Sequence, residues 1–309
     1  MKLILDYTLT VLLSVFVFIL RKLSYPSSLN VAQFVISALL RMYPRFGKAA
    51  ERNLELVFPE KDRAEREDIY RRSLRVLADN LVGYAKIPDL KKDLALQIFD
   101  YSDAITTFNK LRAEYPDVGL LICTAHYGNF ELLVQTEALV NRPTAILARG
   151  FSFPRLNRWW NKRREHFGNQ VFDRKGAYKQ IERRLHEGQD VAILFDQNVK
   201  INHAVFVDLF GIRTATTKSV AIAAMRTKAP LVFTVSCVTF ENRYKVFVEQ
   251  VFYDDLANLD KEEQIVQITQ RLNDILERLI RQHPDNWFWI HRRFKTREGG
   301  AEENIYTAA

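Results

Sequence analysis

From residue 118 onward the sequence alternates between short apolar runs and longer amphipathic runs, and this alternation constrains the fold more than any other feature. Apolar runs of roughly 4–8 residues are typical of buried strands, whereas apolar residues at helical spacing are typical of helices. A chain that alternates in this way builds an α/β fold. We therefore predict a mixed, mostly parallel central sheet flanked by helices. The predicted strands are VGLLICT, PTAILAR, NQVFD, DVAILFD, PLVFTVSCV and YKVFVEQV.

The N-terminal part of the chain begins with a long apolar run. Residues 3–20 carry a single charge, Asp6, and are followed directly by Arg21 and Lys22. A membrane-spanning helix needs about 20 apolar residues, so the run approaches that length. No small-residue cleavage pattern follows it, which favours an uncleaved anchor over a signal peptide. The two cations after the run predict that the rest of the chain lies on the cytoplasmic side.

The same run allows a second interpretation, a helix that lies in the membrane interface, because it is short and contains Asp6. A second apolar segment, residues 30–43, is too short to span a bilayer and would dock on the membrane surface or on the domain. Helical periodicity then continues to about residue 100. We predict three regions: a transmembrane anchor (1–22), a helical membrane-proximal region (23–100) and an α/β region (101–309) that forms one domain with the preceding helices.

The charge balance of the chain indicates an anionic partner. Lys and Arg number 45 against 37 Asp and Glu, a formal net charge of +8. Nucleic acid, phospholipid headgroups or a phosphorylated substrate would each suit such a surface. Cys123 and Cys237 fall in predicted strands and outside any C-x-x-C motif. Neither a disulfide framework nor a thiolate metal site is therefore expected, and a reducing compartment fits.

The segment HYGNFE, residues 126–131, follows the strand VGLLICT at the carboxyl edge of the predicted sheet, where the active groups of open α/β folds gather. Asn129 is placed to cap the next helix, and Glu131 falls in its first turn. Gly128 allows the turn that folds His126 back over that helix. Glu131 would then accept a hydrogen bond from one imidazole nitrogen, while the other takes a proton from a substrate hydroxyl. The alternative is an ordinary strand-to-helix turn.

Motifs of several other reaction classes are absent from the sequence. There is no H-E-x-x-H and no second histidine at ligand spacing, so zinc is disfavoured. There is no G-x-S-x-G and no P-loop, which argues against a serine hydrolase or a nucleoside triphosphatase.

A basic and aromatic segment, RLNRWWNKRREHFG, and an acid at a strand end are further candidates. The segment mixes cations with Trp159 and Trp160, which is typical of phosphate recognition beside a membrane interface. A solvated helix face is the plain alternative, and nucleic-acid binding is a rival that the apolar N-terminus weakens. Asp196 ends the strand DVAILFD at the same edge as His126, with Gln197 after it; the alternative is a turn cap. The cations are Arg155, Arg158, Lys162, Arg163 and Arg164.

Several blocks of sequence, in order, are similar to the motifs of one known family. HYGNFE matches H-x4-E/D, and AERNLELVFPE matches N-L-x3-F-P-E. FDQNVKINHAVFVDLFGIRTATTKSVAIAAMRTKAPLV resembles a D-Q … F-V-x-F-F-G … A-T-T … A-P-V stretch, and WFWIHRRFKTR resembles W-x-H-R-R-F-K-T-R-P. The family is the late acyltransferases of lipid A biosynthesis, the lauroyl/myristoyl transferase group of the lysophospholipid acyltransferase superfamily. Asn198 and Glu298 stand where many members carry an acid and a proline.

The resemblance implies a glycerol-phosphate acyltransferase-like fold and an O-acyltransferase of the bacterial inner membrane, with its catalytic region on the cytoplasmic side. It implies that a lipid hydroxyl attacks an acyl thioester carried by acyl carrier protein or coenzyme A, a co-substrate. No cofactor, metal or nucleic acid is expected. His126 would be the general base and Glu131 would orient it. Backbone N–H groups near Gly128 and Asn129, or an arginine, would face the oxyanion.

The resemblance also implies a set of substrate-binding residues and an acceptor. Arg164 and Arg174 match arginines that the family uses near the catalytic pair, and Asn129, Asp196 and Gln197 join them in the site. The expected acceptor is a glycolipid, a lipid A precursor. Two alternatives stay open: a different lipid acceptor (lysophospholipid, phosphoglycolipid or aminolipid), and a membrane lipid-binding protein that keeps the pocket without turnover.

Overall fold

The computed structural model describes residues 1–239, 243–300 and 305–306; the end of the predicted 101–309 region (301–304 and 307–309) lies outside them. The helices are α1 Lys2–Lys22, α2 Tyr25–Met42, α3 Pro44–Val57, α4 Arg63–Lys86, α5 Lys92–Ile98, α6 Ser102–Glu114, α7 Phe130–Val140, α8 Pro154–Arg164, α9 Ala177–His186, α10 Ser219–Thr227 and α11 Lys261–Gln282. The strands are β1 Phe99–Asp100, β2 Leu121–Thr124, β3 Ala145–Leu147, β4 Gln170–Phe172, β5 Val191–Leu194, β6 Ala204–Leu209, β7 Ile212–Thr217, β8 Leu231–Val238 and β9 Tyr244–Val251.

Seven of these strands form the central sheet, in the order β1-β9-β8-β2-β5-β3-β4. β8, β2, β5, β3 and β4 pair in parallel, β9 runs antiparallel to β8, and β1 pairs with β9 in parallel. The prediction of a mixed, mostly parallel sheet flanked by helices is confirmed. A separate antiparallel ribbon, β6 with β7, is not among the predicted strands. Threonines fill β7, so it lacks the apolar run that marks a buried strand.

The central strand β2 is buried on both faces, as its unbroken apolar sequence requires. Successive side chains of a strand point to opposite faces. Leu121 and Cys123 therefore join a core cluster with α10 and α11, while Leu120 and Ile122 join one with α4, α6 and α7. The loop that follows β2 is consequently held between two packed layers.

The apolar helix α1 packs against the domain instead of projecting from it. Among the described residues it alone is long enough and apolar enough to cross a membrane, by length and composition. Val17 and Leu20 are fully buried, and Arg21 pairs with both oxygens of Asp89 (2.8 and 2.6 Å). The predicted second apolar segment, residues 30–43, lies within α2 apart from its last residue, and the side chain of Ser24 caps the start of α2.

Candidate active site

Two side chains meet at the carboxyl edge of the sheet, one after β2 and one after β5. β2 ends at Thr124 and β5 at Leu194, and these residues are partners in the parallel register. His126 and Asp196 each follow two positions later, so the strands carry both side chains to one point. The His126 Nδ1 atom lies 2.8 Å from Asp196 Oδ1. Both residues therefore stand at the same edge, as the strand ends predict.

Asp196 is buried and fully engaged in hydrogen bonds. Its Oδ2 accepts from the His126 backbone N–H (3.1 Å) and from the Trp287 indole N–H (3.0 Å). Burial by itself raises the pKa of Asp196, but the charge that His126 carries whenever it is protonated and these hydrogen bonds outweigh burial and hold the pKa below its ordinary value. An ionised carboxylate can only accept hydrogen bonds, so His126 Nδ1 carries a proton and Nε2 keeps its lone pair.

Gln197 contacts the second imidazole nitrogen. Its side-chain Nε2 lies 3.2 Å from His126 Nε2 and donates to it, because that ring nitrogen is the acceptor in this tautomer. The rings of Phe130 and Phe288 flank the imidazole, with centroids 5.0 and 5.8 Å away. The His126 side chain is 17% exposed, so a hydroxyl that displaces the amide reaches a basic nitrogen.

Glu131 has a different partner from the one that the sequence predicts. The predicted hydrogen bond from His126 to Glu131 is wrong, because Asp196 occupies that position. Both carboxylate oxygens of Glu131 instead accept from Arg164, with Nε 3.0 Å from Oε2 and Nη2 on Oε1. The first turn of α7 directs Glu131 toward α8, and a planar guanidinium matches both oxygens of a carboxylate. Glu131–Arg164 is thus a second pair, separate from His126–Asp196.

The segment 284–296 forms one wall of the site and is absent from the predicted site residues. Besides Trp287 and Phe288, it supplies Asn286, whose carbonyl oxygen accepts the Gly128 N–H at 2.8 Å. That contact occupies one of the predicted oxyanion donors. Gly128 has a φ of +57°, and a Cβ there would lie 1.5 Å from Ser236 O, so only glycine fits the turn. The aromatic run WFW was the sequence signal that could have predicted this wall, because adjacent large aromatic side chains are seldom all exposed to water.

Buried polar contacts fix the rest of this wall. Arg293 is 1% exposed, and its two terminal nitrogens donate to Ala215 O and to Thr216 Oγ1, both at 2.6 Å. His291 Nε2 accepts from the Asn198 backbone N–H at 3.0 Å. Burial lowers the pKa of His291 to about 4, so this second histidine near the site is neutral and acts as an acceptor.

Asn129 begins α7 and joins it to α4. Its Oδ1 accepts from the Leu132 N–H at 3.0 Å, which is the contact of a helix cap. Its Nδ2 donates to Asp79 Oδ2 at 2.7 Å. The Asn129 side chain is fully buried, so its predicted contact with substrate stays a prediction, whereas its capping role is direct.

An apolar cleft of about 750 Å³, measured with its open mouth, runs between α7 and the sheet. Glu131 and Arg164 line it together with Phe130, and Glu137 lies two turns further along α7. A smaller cleft of about 300 Å³ contains His126, and Phe130 also lines that one. The Phe130 ring therefore stands between the imidazole and the apolar cleft. The other apolar lining includes Phe108, Ile122, Val134, Ile146 and Leu147.

Arg174 does not join the other predicted residues. It is exposed in the loop between β4 and α9 and makes no hydrogen bond or ion pair with them in the described part of the chain. Its substrate contact stays a prediction. Within residues 1–239, 243–300 and 305–306, no group of three or more His, Cys, Asp or Glu side chains could hold a metal ion.

A histidine held by a buried aspartate, beside an apolar cleft lined by an ion pair, is an arrangement suited to activating a hydroxyl next to an apolar chain. The model of the bacterial lipid A biosynthesis acyltransferase family matches residues 2–296, and the chain therefore belongs to that family. The resemblance found in the sequence motifs is confirmed, and the protein is an O-acyltransferase.

Curated relatives agree over most of the chain at modest identity. The lipid A biosynthesis palmitoleoyltransferase of Escherichia coli K12 is 26% identical over 277 residues, which cover 88% of this chain and 86% of that protein. The lauroyltransferase of the same organism is 25% identical and covers 90% and 89%. The myristoyltransferase is 23% identical and covers 86% and 81%. The three relatives differ in the acyl group that their names specify.

Proposed function

We propose that this protein moves a fatty acyl chain from a thioester of acyl carrier protein or coenzyme A to a hydroxyl of a lipid A precursor. The observation that carries the proposal is the His126–Asp196 pair, in which the imidazole Nδ1 lies 2.8 Å from the buried carboxylate. The neutral imidazole that donates from Nδ1 has its lone pair on Nε2, which is the base of the proposal. A base of this kind is needed because a lipid hydroxyl is a weak nucleophile at neutral pH. The family match supports the thioester donor and the glycolipid acceptor.

The proton moves in two steps. The acceptor hydroxyl displaces Gln197 from His126 Nε2 and gives its proton to that nitrogen as its oxygen attacks the thioester carbonyl. Asp196 stabilises the imidazolium that forms. The tetrahedral intermediate then expels the thiolate, which takes the proton back from Nε2 and leaves as a free thiol, while the new oxygen ester remains on the lipid.

The pair Glu131–Arg164 stands at the rim of the apolar cleft and suits the acyl donor. The apolar walls accept a hydrocarbon chain, and burial of that chain contributes about 0.8 kcal/mol per CH₂ group. Arg164 at the mouth would then face the thioester carbonyl, where negative charge develops. Glu131 holds the guanidinium in place, which gives it a role in catalysis through Arg164.

The packing of α1 favours a helix that lies in the membrane interface over one that spans the bilayer. Asp6 contacts the start of α8, sixteen residues before Lys22, which corresponds to about 24 Å of helix. A spanning α1 would carry that end of α8 and the exposed Arg155 and Arg158 into hydrocarbon, which is costly. The exposed apolar face of α1 would instead rest on the membrane. Free cysteines fit the cytoplasmic face of the inner membrane.

The test is acyl transfer by purified full-length protein in detergent or vesicles. Radiolabelled acyl carrier protein and coenzyme A thioesters are offered with a lipid A precursor, a lysophospholipid, a phosphoglycolipid and an aminolipid. His126→Ala should lower the rate by about 100- to 10,000-fold and keep the fold and membrane binding. The matched control is His203→Ala, since His203 is exposed and uses only backbone groups. Acyl transfer to another lipid of the panel would show that this lipid, and not the lipid A precursor, is the acceptor. Acyl transfer to no lipid would favour a lipid-binding protein without turnover.

A further inference from the structure

The single charge within the apolar run of α1 is buried against the catalytic domain. Asp6 is 4% exposed, although the α1 residues on both sides of it are exposed. Its two carboxylate oxygens accept from the backbone N–H groups of Arg155 (2.9 Å) and Leu156 (3.1 Å). These are the first free N–H groups of α8. A residue that looks like a defect in a membrane anchor is therefore a cap for another helix.

Helix α8 has no cap of its own. Phe153 stands at the capping position and makes no side-chain hydrogen bond, and Pro154 has no N–H. Free N–H groups at a helix start need acceptors, and Ser, Thr, Asp or Asn usually provide them from the neighbouring chain. In α8 the acceptor comes instead from Asp6, 149 residues earlier. The negative charge also suits the positive end of the helix dipole.

The start of α8 depends on α1, because the first turn of α8 takes its capping acceptor from α1. No residue of α8 is buried, and α1 is the element with which α8 has its most extensive contact. The guanidinium of Arg155 also lies over the Tyr7 ring, 5.4 Å from its centroid. Other elements hold the middle and the far end: the Tyr84 ring stacks on Trp160, with centroids 4.1 Å apart, and Gln135 donates to Arg164 O at 2.8 Å. The α1 contact therefore fixes where α8 begins and how it is tilted.

We propose that Asp6 is a positioning residue for acyl transfer: it caps α8 and thereby sets Arg164 against Glu131. The helix between the cap and Arg164 is a rigid rod of about 15 Å that rests on Tyr84 at Trp160. A shift at Arg155 therefore tilts the helix about that contact and moves Arg164. The inference rests on the proposed function, in which Arg164 acts at the rim of the apolar cleft. It makes α1 part of the catalytic domain as well as a membrane contact.

The decisive variant is Asp6→Leu in the full-length protein. It makes α1 more apolar, so membrane binding should hold or tighten, and an α1 that is only an anchor would leave kcat unchanged. If Asp6 positions α8, kcat should fall about 10-fold or more, the range that follows from losing hydrogen bonds to a charged group. The control is Thr8→Leu, which also makes α1 more apolar but on the exposed face of the helix, with normal kcat expected.

Two further variants separate positioning from a general loss of structure. Asp6→Asn keeps one carbonyl oxygen for one of the two N–H groups and should recover part of the activity. In Arg164→Lys, where the guanidinium is already lost, Asp6→Leu should lower kcat little further, because both changes act through one residue. Equal kcat in Asp6→Leu and wild type, or full additivity with Arg164→Lys, overturns the inference. An inactive wild type would instead overturn the proposed function.

Discussion

The variant Asp196→Asn should lose most of the acyl-transfer rate although it changes the shape of the site very little. Asp196 receives donors on both oxygens: the imidazole Nδ1–H on Oδ1, and the Trp287 and His126 N–H groups on Oδ2. An asparagine has one oxygen and one NH₂ group. If the oxygen accepts from the indole and the backbone, two hydrogen bonds are kept, and the NH₂ group faces the ring. The imidazole must then accept on Nδ1 and carry its proton on Nε2.

The magnitude follows from this change of tautomer. With its proton on Nε2, His126 cannot take a proton from the lipid hydroxyl, and the whole contribution of the general base is lost. General bases contribute about 100- to 10,000-fold, and the equivalent aspartate-to-asparagine change in a Ser-His-Asp triad costs about 10,000-fold. We expect kcat to fall by about 1,000- to 10,000-fold, with KM nearly unchanged because the apolar cleft is untouched.

The assay is steady-state transfer from the labelled thioester to the accepting lipid, with thermal unfolding as the check on the fold. Asp274→Asn makes the same chemical change on the exposed face of α11 and should leave the rate unchanged. Trp287→Phe removes one donor from Asp196 while the carboxylate stays, so a milder loss, about 10-fold, is expected. A folded Asp196→Asn enzyme whose kcat stays within about 10-fold of wild type, well below the loss of a general base, would refute the assigned roles.

Other substitutions follow from the same geometry. Arg164→Lys should lower kcat/KM by about 10- to 150-fold, because lysine cannot pair with both oxygens of Glu131. Arg155→Lys, measured with the same acceptor lipid, should lower kcat/KM only slightly. Deleting residues 1–22 should ease extraction from membranes, leave binding that falls with salt, and lower turnover; sedimentation in high salt and activity of the extract test this. Burial raises the pKa of Glu137 from an ordinary 4.5 to about 7, so the unfolded chain ionises first and stability falls as pH rises between these values. Glu137→Gln should therefore raise the free energy of unfolding by up to ~3 kcal/mol at about pH 8 and little at about pH 4, as thermal unfolding would show.

The sequence predicted the parts of the site that local patterns determine. The apolar runs predicted the strands, and a strand end is where the chain leaves the sheet, so His126 and Asp196 could be assigned to one edge. The helix that begins after Asn129 follows equally from local rules, because the capping oxygen of Asn129 accepts from the N–H of Leu132, only three residues later. These inferences held because the physical cause and its effect lie within one element and its flanking turn.

The rest could not be predicted because it depends on which elements become neighbours. The Trp287 indole donates to Asp196 although 91 residues of chain separate them, and no sequence pattern in either segment indicates that the two segments are neighbours. The cap that Asp6 provides to α8 is likewise invisible to a rule that looks for the cap beside the helix. The ribbon β6–β7 lies apart from the main sheet, and the threonines of β7 leave that strand without the strong apolar run that burial on both faces imposes.

The H-x4-E motif shows how the two kinds of information combine. The short sequence separation predicted a hydrogen bond between His126 and Glu131, but the tertiary structure gives each residue a different partner. The parallel register of β2 and β5 brings Asp196 to the imidazole at 2.8 Å, and α8 brings a guanidinium that satisfies both oxygens of Glu131. The motif therefore marks one turn from which two pairs extend; in the proposed function, His126–Asp196 handles the proton and Glu131–Arg164 faces the acyl chain. Because Asp6 caps α8, we infer that the second pair depends on α1, whereas Asp196 reaches His126 through the register of β2 and β5.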